Sequence, residues 1–438
     1  MSGQGVSQER SSKDGSTGDG VFERFGALPA WARWPAMVSM AILVLAIVQG
    51  VSGTELLTSG NTSGAMLRWA MPIMLAGLGG LFSERAGIVN IGLEGMMILG
   101  TWFGAWGAMN WGPWGGLIAG TVGGALGGLL HAVATVNFGV DQIVSGVAIN
   151  VMAPALTRFM SERVFGGEVG GSVSQSPRVT GLPSFTVPVL AGGGGGPDIL
   201  GSIADANIFW ISDIASLLHG VMTQIGVFTV LALAMVPLTA WVLARTRMGL
   251  RIKICGENPK AGESLGINIY LHKYIGVMIS GALAGMAGAY IVLELTGVYR
   301  GGQTTGRGFI GLAALIFGNW KALGVLAGSL LFGYPFGLSL IDFDATSSGG
   351  ATRSLLLVIA IALAGVAVWA YRADKRLDVG LAVILSGIAL VWYLLTDTAA
   401  AWLPNTMPYA LVLIVLVFAS QRLRPPATAG VPFRKGET

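Results

Sequence analysis

The chain has 438 residues, of which 53% are apolar and only 11% charged, with 68 glycines and a net charge of +4. So few charges cannot cover a water-soluble surface, where about a quarter of residues are normally charged. A soluble enzyme, a nucleic-acid binder and a disordered scaffold are excluded, and the composition reads as an all-α polytopic membrane protein. The abundant glycine suits helices that approach closely in lipid.

Residues 1–35 are polar and mixed in charge, with no apolar run, and are expected to form a disordered cytoplasmic tail. Apolar runs long enough to cross a bilayer then fall at 37–52, 66–82, 91–109, 113–135, 142–160, 223–244, 271–294, 303–318, 322–341, 354–371, 379–396 and 406–420. The reading is ten to twelve transmembrane helices, with 37–52, 303–318 and 406–420 short enough to be tilted, re-entrant or misplaced at an end. If every run crosses and the N-terminus is inside, only Arg68, Arg158, Arg163, Arg178, Arg300, Arg307 and Arg353 lie outside, leaving 19 of the 26 basic residues inside. That bias places both termini in the cytoplasm. Cys255, the single cysteine, would then be reachable by a thiol reagent from the cytoplasmic side only.

Two loops are long. Residues 161–222 are expected outside. They are rich in Gly, Ser and Pro, with Gly192 to Gly196 as flexible linker chemistry and a short amphipathic helix near Ile208–Leu218. Residues 245–270 are expected inside and read RTRMGLRIKICGENPKAGESLGI, a basic but composed loop of the kind that docks a partner.

Several polar residues interrupt the apolar runs. Glu84, Arg85 and Glu94 are read either as one interfacial charge cluster or, for Asn90 and Glu94, as groups beside a translocation path. Asp141 fits an N-cap. It and Gln142 also stand at the mouth of a span whose mid-point carries Asn150, which either bonds a neighbouring helix or meets a polar solute. The tentative substrate path is therefore Asn90, Glu94, Asp141, Gln142 and Asn150. The glycine-rich stretch ELTGVYRGGQTTGRGF is read as an external turn or as irregular backbone re-entering the bundle. Small-xxx-small spacings at Gly120/Gly124/Gly128, Gly123/Gly127 and Gly281/Gly285 read as helix packing. Trp31, Trp34, Trp111, Trp114 and Trp402 read as interfacial belt residues. There is no GxxxxGK[ST] and no Cys/His cluster, and His131, His219 and His272 lie far apart, so neither an ATPase site, a metal site nor a catalytic constellation is expected.

The strings LFSERAGIVNIGLEGMMILG, VDQIVSGVAIN, RTRMGLRIKICGENPKAGESLGI, SGALAGMAGAY, GRGFIGLAALIFGNWKALGVLAGSLLFG and PYALVLIVLVFASQRLRPPATAGVPFRKGE together resemble the permease subunits of ATP-binding-cassette (ABC) importers. The resemblance is to the nucleoside and simple-sugar branch of the branched-chain amino-acid/ribose permease superfamily. It covers most of residues 66–340 plus the tail. It implies a permease without its own cofactor, ATP being bound by two cytoplasmic ATPase subunits or one fused ATPase. It further implies a second permease subunit, an external substrate-binding lipoprotein, a lipid surround in a bacterial cytoplasmic membrane, and no nucleic acid. Gly256, Glu257, Asn258, Pro259 and Gly266 would belong to the coupling helix that sits in the ATPase, with Gly256 giving a tight turn, Asn258 the N-cap before Pro259, and Gly266 the C-terminal stop. The expected core is 36–341, followed by an extra hairpin at 342–404 that departs from the family pattern, then a last helix and tail at 405–438. The expected cargo is a nucleoside. A simple-sugar or branched-chain amino-acid permease is the near alternative, and an ion-coupled secondary transporter or an intramembrane enzyme a distant one.

Overall fold

The computed structural model describes residues 30–206, 208–346, 350–372, 376–396 and 423–433, together with 406, 409–410 and 413. Most of the expected tail at 1–35 and most of the expected span 406–420 lie outside the described residues. The first helix, α1 (Ala30–Ser52), starts inside the stretch assigned to the tail.

Helix α2 (Gly60–Arg85) follows, N-capped by the Ser59 side chain on Thr62 N. It is the central helix, 83% buried along its apolar window. The run Leu93–Ala132 is not one helix. Trp111 and Gly112 break it, Gly112 with φ +72°, a conformation that costs an L side chain about 1–2 kcal/mol. Two antiparallel helices result, α3 (93–110) and α4 (113–132), close to the two spans read from the sequence. A wider π-type turn at Val133–Asn137 ends α4. Helix α5 (Gln142–Val164) is only 28% buried and turns most of its apolar surface outward.

The loop after α5 is folded rather than a free linker. It carries the two-residue pair β1 (Ser184–Phe185) and β2 (Ile225–Gly226), helix α6 (Ile199–Asp205) and helix α7 (Ile211–Met222). The glycine run expected to be flexible packs back on this loop: Gly193 N donates to Val187 O at 3.4 Å, and Asp198 caps α6 while pairing with His219 at 3.0 Å. Asp198 anchors the run at its C-terminal end, which composition alone could not reveal. Helix α7 lies across the start of α2, where Ser63 Oγ donates to Leu217 O.

Helices α8 (Val227–Arg245), α9 (Arg247–Glu257), α10 (Pro259–Ser264) and α11 (Ile269–Tyr290) follow, then α12 (Arg307–Phe317), α13 (Ala322–Thr346), α14 (Gly350–Arg372) and α15 (Arg376–Leu395). The core is α2, α3, α4, α11, α12 and α13. Helices α4 and α11 meet backbone to backbone through the glycine pairs read as packing motifs; a Cβ built at Gly124 would stand 2.3 Å from Gly281 O. Helices α14 and α15 pack on each other, and α14 also touches α13 and α1. Seven runs among the described residues are long and apolar enough to cross a membrane. One of them is the α3–α4 pair. With the shorter α1, α12 and α15, eleven of the twelve expected runs are helices.

The connections share out between two faces. Residues 165–226 and 297–306 meet on one, through Gln175 and Arg300. Residues 255–257, 319–321 and 423–433 meet on the other, through Asn319 and Arg424 and through Gly256 and Thr428. The second is the face expected to be cytoplasmic.

Candidate functional site

Two sites emerge, one in the middle of the bundle and one on the face that carries α9 and α10. The first starts from a gap in helical structure. Between α2 and α3, residues 86–92 are not helical and run back up into the bundle. Depth follows from their contacts. Asn90 donates to Ser280 Oγ at 2.9 Å, about 16 Å along α11 at 1.5 Å per residue. Glu94 touches Gly308, while Gly311 one turn on packs against Ala76 and Gly77 of α2, well short of its end at Arg85. Both routes put the start of α3 roughly half-way through a 30 Å hydrocarbon layer. Helix α12 also begins there. Its 11 residues span about 16 Å, so it is a half-helix that completes a crossing begun by the irregular residues before it.

Irregular backbone at this depth must find its hydrogen bonds within the protein. The polar residues of the neighbouring spans supply them. Gln142 Oε1 accepts from Val89 N at 2.7 Å. His131 donates from Nε2 to Val89 O at 3.2 Å and accepts at Nδ1 from Ser145 Oγ at 2.9 Å. Asn150 donates to Ile91 O at 2.9 Å and accepts from Gly95 N at 2.7 Å. At the turn out of α2, Ser83 Oγ donates to Ile88 O at 2.6 Å. Asn150 therefore bonds its neighbour, one of the two roles left open for it.

Glu94 joins the start of α3 to the start of α12. It lies in the first turn of α3, and its carboxyl accepts from Thr304 Oγ at 2.6 Å, Gly306 N at 2.9 Å and Gly308 N at 2.7 Å. Those two backbone donors belong to the start of α12, so one carboxyl sits between two positive helix ends. It is remote from Glu84 and Arg85, and the single interfacial cluster does not form. Glu84 and Arg85 instead clasp the α12–α13 turn: Trp320 Nε1 donates to Glu84 at 2.6 Å, and Arg85 donates to Trp320 O at 2.9 Å. The glycine-rich stretch combines both expected forms: Arg300 and Gly301 bond residues 174–175 on the loop face, while Thr304, Gly306 and Gly308 lie within the bundle against Glu94, before α12 runs on to the opposite face. Its Arg307 lies 4.5 Å over the Trp69 ring and 5.0 Å over Phe336, and donates to Gln303 O, Thr304 O and Thr305 Oγ. Three buried polar atoms around this centre have no hydrogen-bond partner among the described residues: Asn90 Oδ1, Gln303 Nε2 and Arg307 Nε.

The structure thus brings Asn90, Glu94, Gln142 and Asn150 around one broken segment. Asp141 stands apart, exposed, and caps α5 through Ile143 N and Val144 N. His131 and Ser280 were missed as site residues by the sequence reading, which places Thr304 only within the glycine-rich stretch at the span ends. An ionisable side chain inside a span was the available signal for His131; the Ser280 hydroxyl carried none.

The second site is the α9–α10 turn. Asn258 caps α10 through Ala261 N at 3.0 Å, Pro259 opens the helix, and Gly266 follows it at φ +75°. Gly256 differs from its expected role. It is the penultimate residue of α9 and makes no turn; a Cβ there would stand 2.4 Å from Arg85 O, so glycine is required for close approach to the end of α2. Glu257 pairs with Arg85 at 3.2 Å. Burial and the Arg85 charge hold the Lys253 ammonium below its usual range. Cys255 is fully buried, and burial pushes its thiol up to about 11. A buried, protonated thiol reacts slowly with thiol reagents, so Cys255 cannot serve as the topology probe the sequence suggested.

Residues 63–361 match the family described as the branched-chain amino acid transport system permease component. The chain is 36% identical over 284 residues to the guanosine ABC transporter permease protein NupQ of Bacillus subtilis (strain 168), covering 63% of this chain and 81% of that one. It is 37% identical over 285 residues to the nucleoside ABC transporter permease protein NupC of Lactococcus lactis subsp. cremoris (strain MG1363), with the same coverage of each. It is also 31% identical over 277 residues to the putative glucose ABC transporter permease protein TsgC13 of Haloferax volcanii, covering 63% and 76%. No solved structure matches. Matched over residues 63–361, more than half of its length, the chain belongs to the branched-chain amino acid transport system permease component family.

Proposed function

We propose that the chain carries nucleosides inward across the cell membrane, as the permease subunit of an ATP-driven importer whose ATP is bound by a separate ATPase. The observation that carries this reading is the identity of 36–37% to guanosine and nucleoside permeases over 81% of their length. The meeting of the α3 and α12 N-termini around Glu94 supports it, because helices broken at the midplane are how transporters present polar groups to a solute. On this reading the path runs beside residues 86–92, with the unpartnered Asn90 Oδ1 available to the solute. Residues 245–270 face the cytoplasm, a second permease completes the path, and an external lipoprotein delivers the cargo. The test is uptake by the reconstituted transporter with labelled guanosine, glucose and leucine. ATP-dependent guanosine uptake is expected. Glucose uptake without guanosine uptake would replace the cargo, as the 31% identity to a putative glucose permease allows.

The α9–α10 turn is proposed to couple the permease to its ATPase. Helix α10 has six residues, too few to be stable alone in water, and holds its shape through Asn258 and Gly266. Nothing lies within 4 Å of a Cβ at Gly266, so Gly266→Val adds backbone strain of about 1–2 kcal/mol without a clash. Gly266→Val is expected to insert normally and lose substrate-stimulated ATP hydrolysis. Unchanged hydrolysis would leave the turn without a coupling role.

A further inference from the structure

Beside the α9–α10 turn lies an open cleft of about 640 Å³. Its walls come from four elements: Arg85 at the end of α2, Glu257 at the end of α9, Asn319 and Lys321 on the α12–α13 turn, and Arg424 on the C-terminal segment. That segment is pinned in place. Arg424 N donates to Asn319 Oδ1 at 2.8 Å, Ala427 N to Glu257 Oε2 at 3.4 Å, and Thr428 donates from both N and Oγ to Gly256 O at 2.8 and 2.7 Å. Farther on, Phe433 packs against Tyr270 and lies under Lys273.

The charges do not balance. Three cations line the cleft, and its one carboxyl is already paired with Arg85. Lys321 and Arg424 are exposed and have no ion-pair partner among the described residues. Backbone bonds fix Arg424 opposite the turn that carries Lys321, so the two cations share one cleft rather than dispersing into solvent. An anion entering between them would be held from two sides.

Position selects among anions. Arg85 ends the most buried of the spans, at 83%, so the cleft opens near the middle of the end face and not at its lipid-facing rim. It adjoins α10 through Glu257. A surface that receives α10 therefore reaches the cleft as well.

We propose that this cleft is a second docking point for the ATPase subunit and takes a carboxylate side chain of that subunit between Lys321 and Arg424. The inference rests on the coupling role given to the α9–α10 turn. It makes the C-terminal segment part of the docking surface, which explains why that segment is bonded to Gly256 rather than left in solvent. The cleft adds orientation and salt-sensitive attachment to the coupling turn.

The experiment uses the full transporter in lipid nanodiscs, with Lys321→Glu, Arg424→Glu and the double variant. Arg372→Glu, a cation outside the cleft at the end of α14, controls for total charge. The double variant is expected to reach the membrane at normal levels and to bind the ATPase about tenfold more weakly. Its attachment should also lose most of the salt dependence shown by the unaltered transporter between about 50 and 300 mM salt. An Asp or Glu to Lys exchange on the ATPase surface should restore binding to the double variant. Lys321→Ala with Arg424→Ala gives the same readout should charge reversal disturb insertion. Unchanged ATPase binding in either double variant overturns the proposal. So does loss of bound phosphatidylglycerol with ATPase binding intact, which would make the cleft a lipid site. An unaltered chain that retains no ATPase would overturn the coupling reading itself, and this inference with it.

Discussion

Glu94→Ala should abolish uptake and sharply lower the amount of folded protein in the membrane. The carboxyl accepts from Thr304 Oγ, Gly306 N and Gly308 N, and it is 7% exposed. Alanine strands all three donors at mid-bundle, where water does not replace the lost acceptor. Each stranded donor costs about 1–3 kcal/mol, and the α12 half-helix loses the group that ties its N-terminus to α3. Glu94→Gln separates the two roles of the side chain. Volume is kept, but one oxygen becomes an amide that meets an N–H or hydroxyl donor head-on. Glutamine is therefore expected to insert better than alanine and still to lose more than about tenfold of uptake. Fluorescence-detected size exclusion reports folding, and vesicle uptake reports function. Normal levels and normal uptake in both variants would show that the junction of α3 and α12 does not depend on Glu94.

Gly124→Val should prevent the bundle from assembling. A Cβ at Gly124 would stand 2.3 Å from Gly281 O and 2.4 Å from Gly285 Cα, both backbone atoms that cannot step aside. The reciprocal position is equally tight, with a Cβ at Gly285 falling 2.3 Å from Gly120 O. Overpacking a core with flexible neighbours costs about 1–3 kcal/mol; separating two helices along a glycine seam costs more, because every contact along the seam loosens together. The expected result is loss of monodisperse protein for Gly124→Val and Gly285→Val. Gly365→Val on α14 is the matched control, since nothing lies within 4 Å of its Cβ, and it should accumulate normally. Equal yields of all three would contradict the close α4–α11 approach.

Much of this architecture is legible in the sequence because a bilayer restricts the choices. Apolar runs of span length must become helices, and those at 91–109 and 113–135 led to α3 and α4 even though no polar loop separates them. The Asn258-Pro259 start and Gly266 stop of α10 were also readable, since caps act through residues within one turn. What tertiary structure alone decided is where the polar residues point. Asn90, Glu94, Gln142 and Asn150 could be picked out as unusual within or beside apolar spans, but not that Gln142, Asn150 and the overlooked His131 serve the backbone of residues 86–95, because those pairs lie about 40 to 60 positions apart. The partner of Glu94 is more than 200 residues away at the start of α12. The sequence likewise suggested a turn at Gly256, whereas the demand for glycine there comes from the end of α2 packing against it. Local rules describe a chain against its own next turn. Close approach and mid-membrane hydrogen bonding depend on which helices the fold brings together.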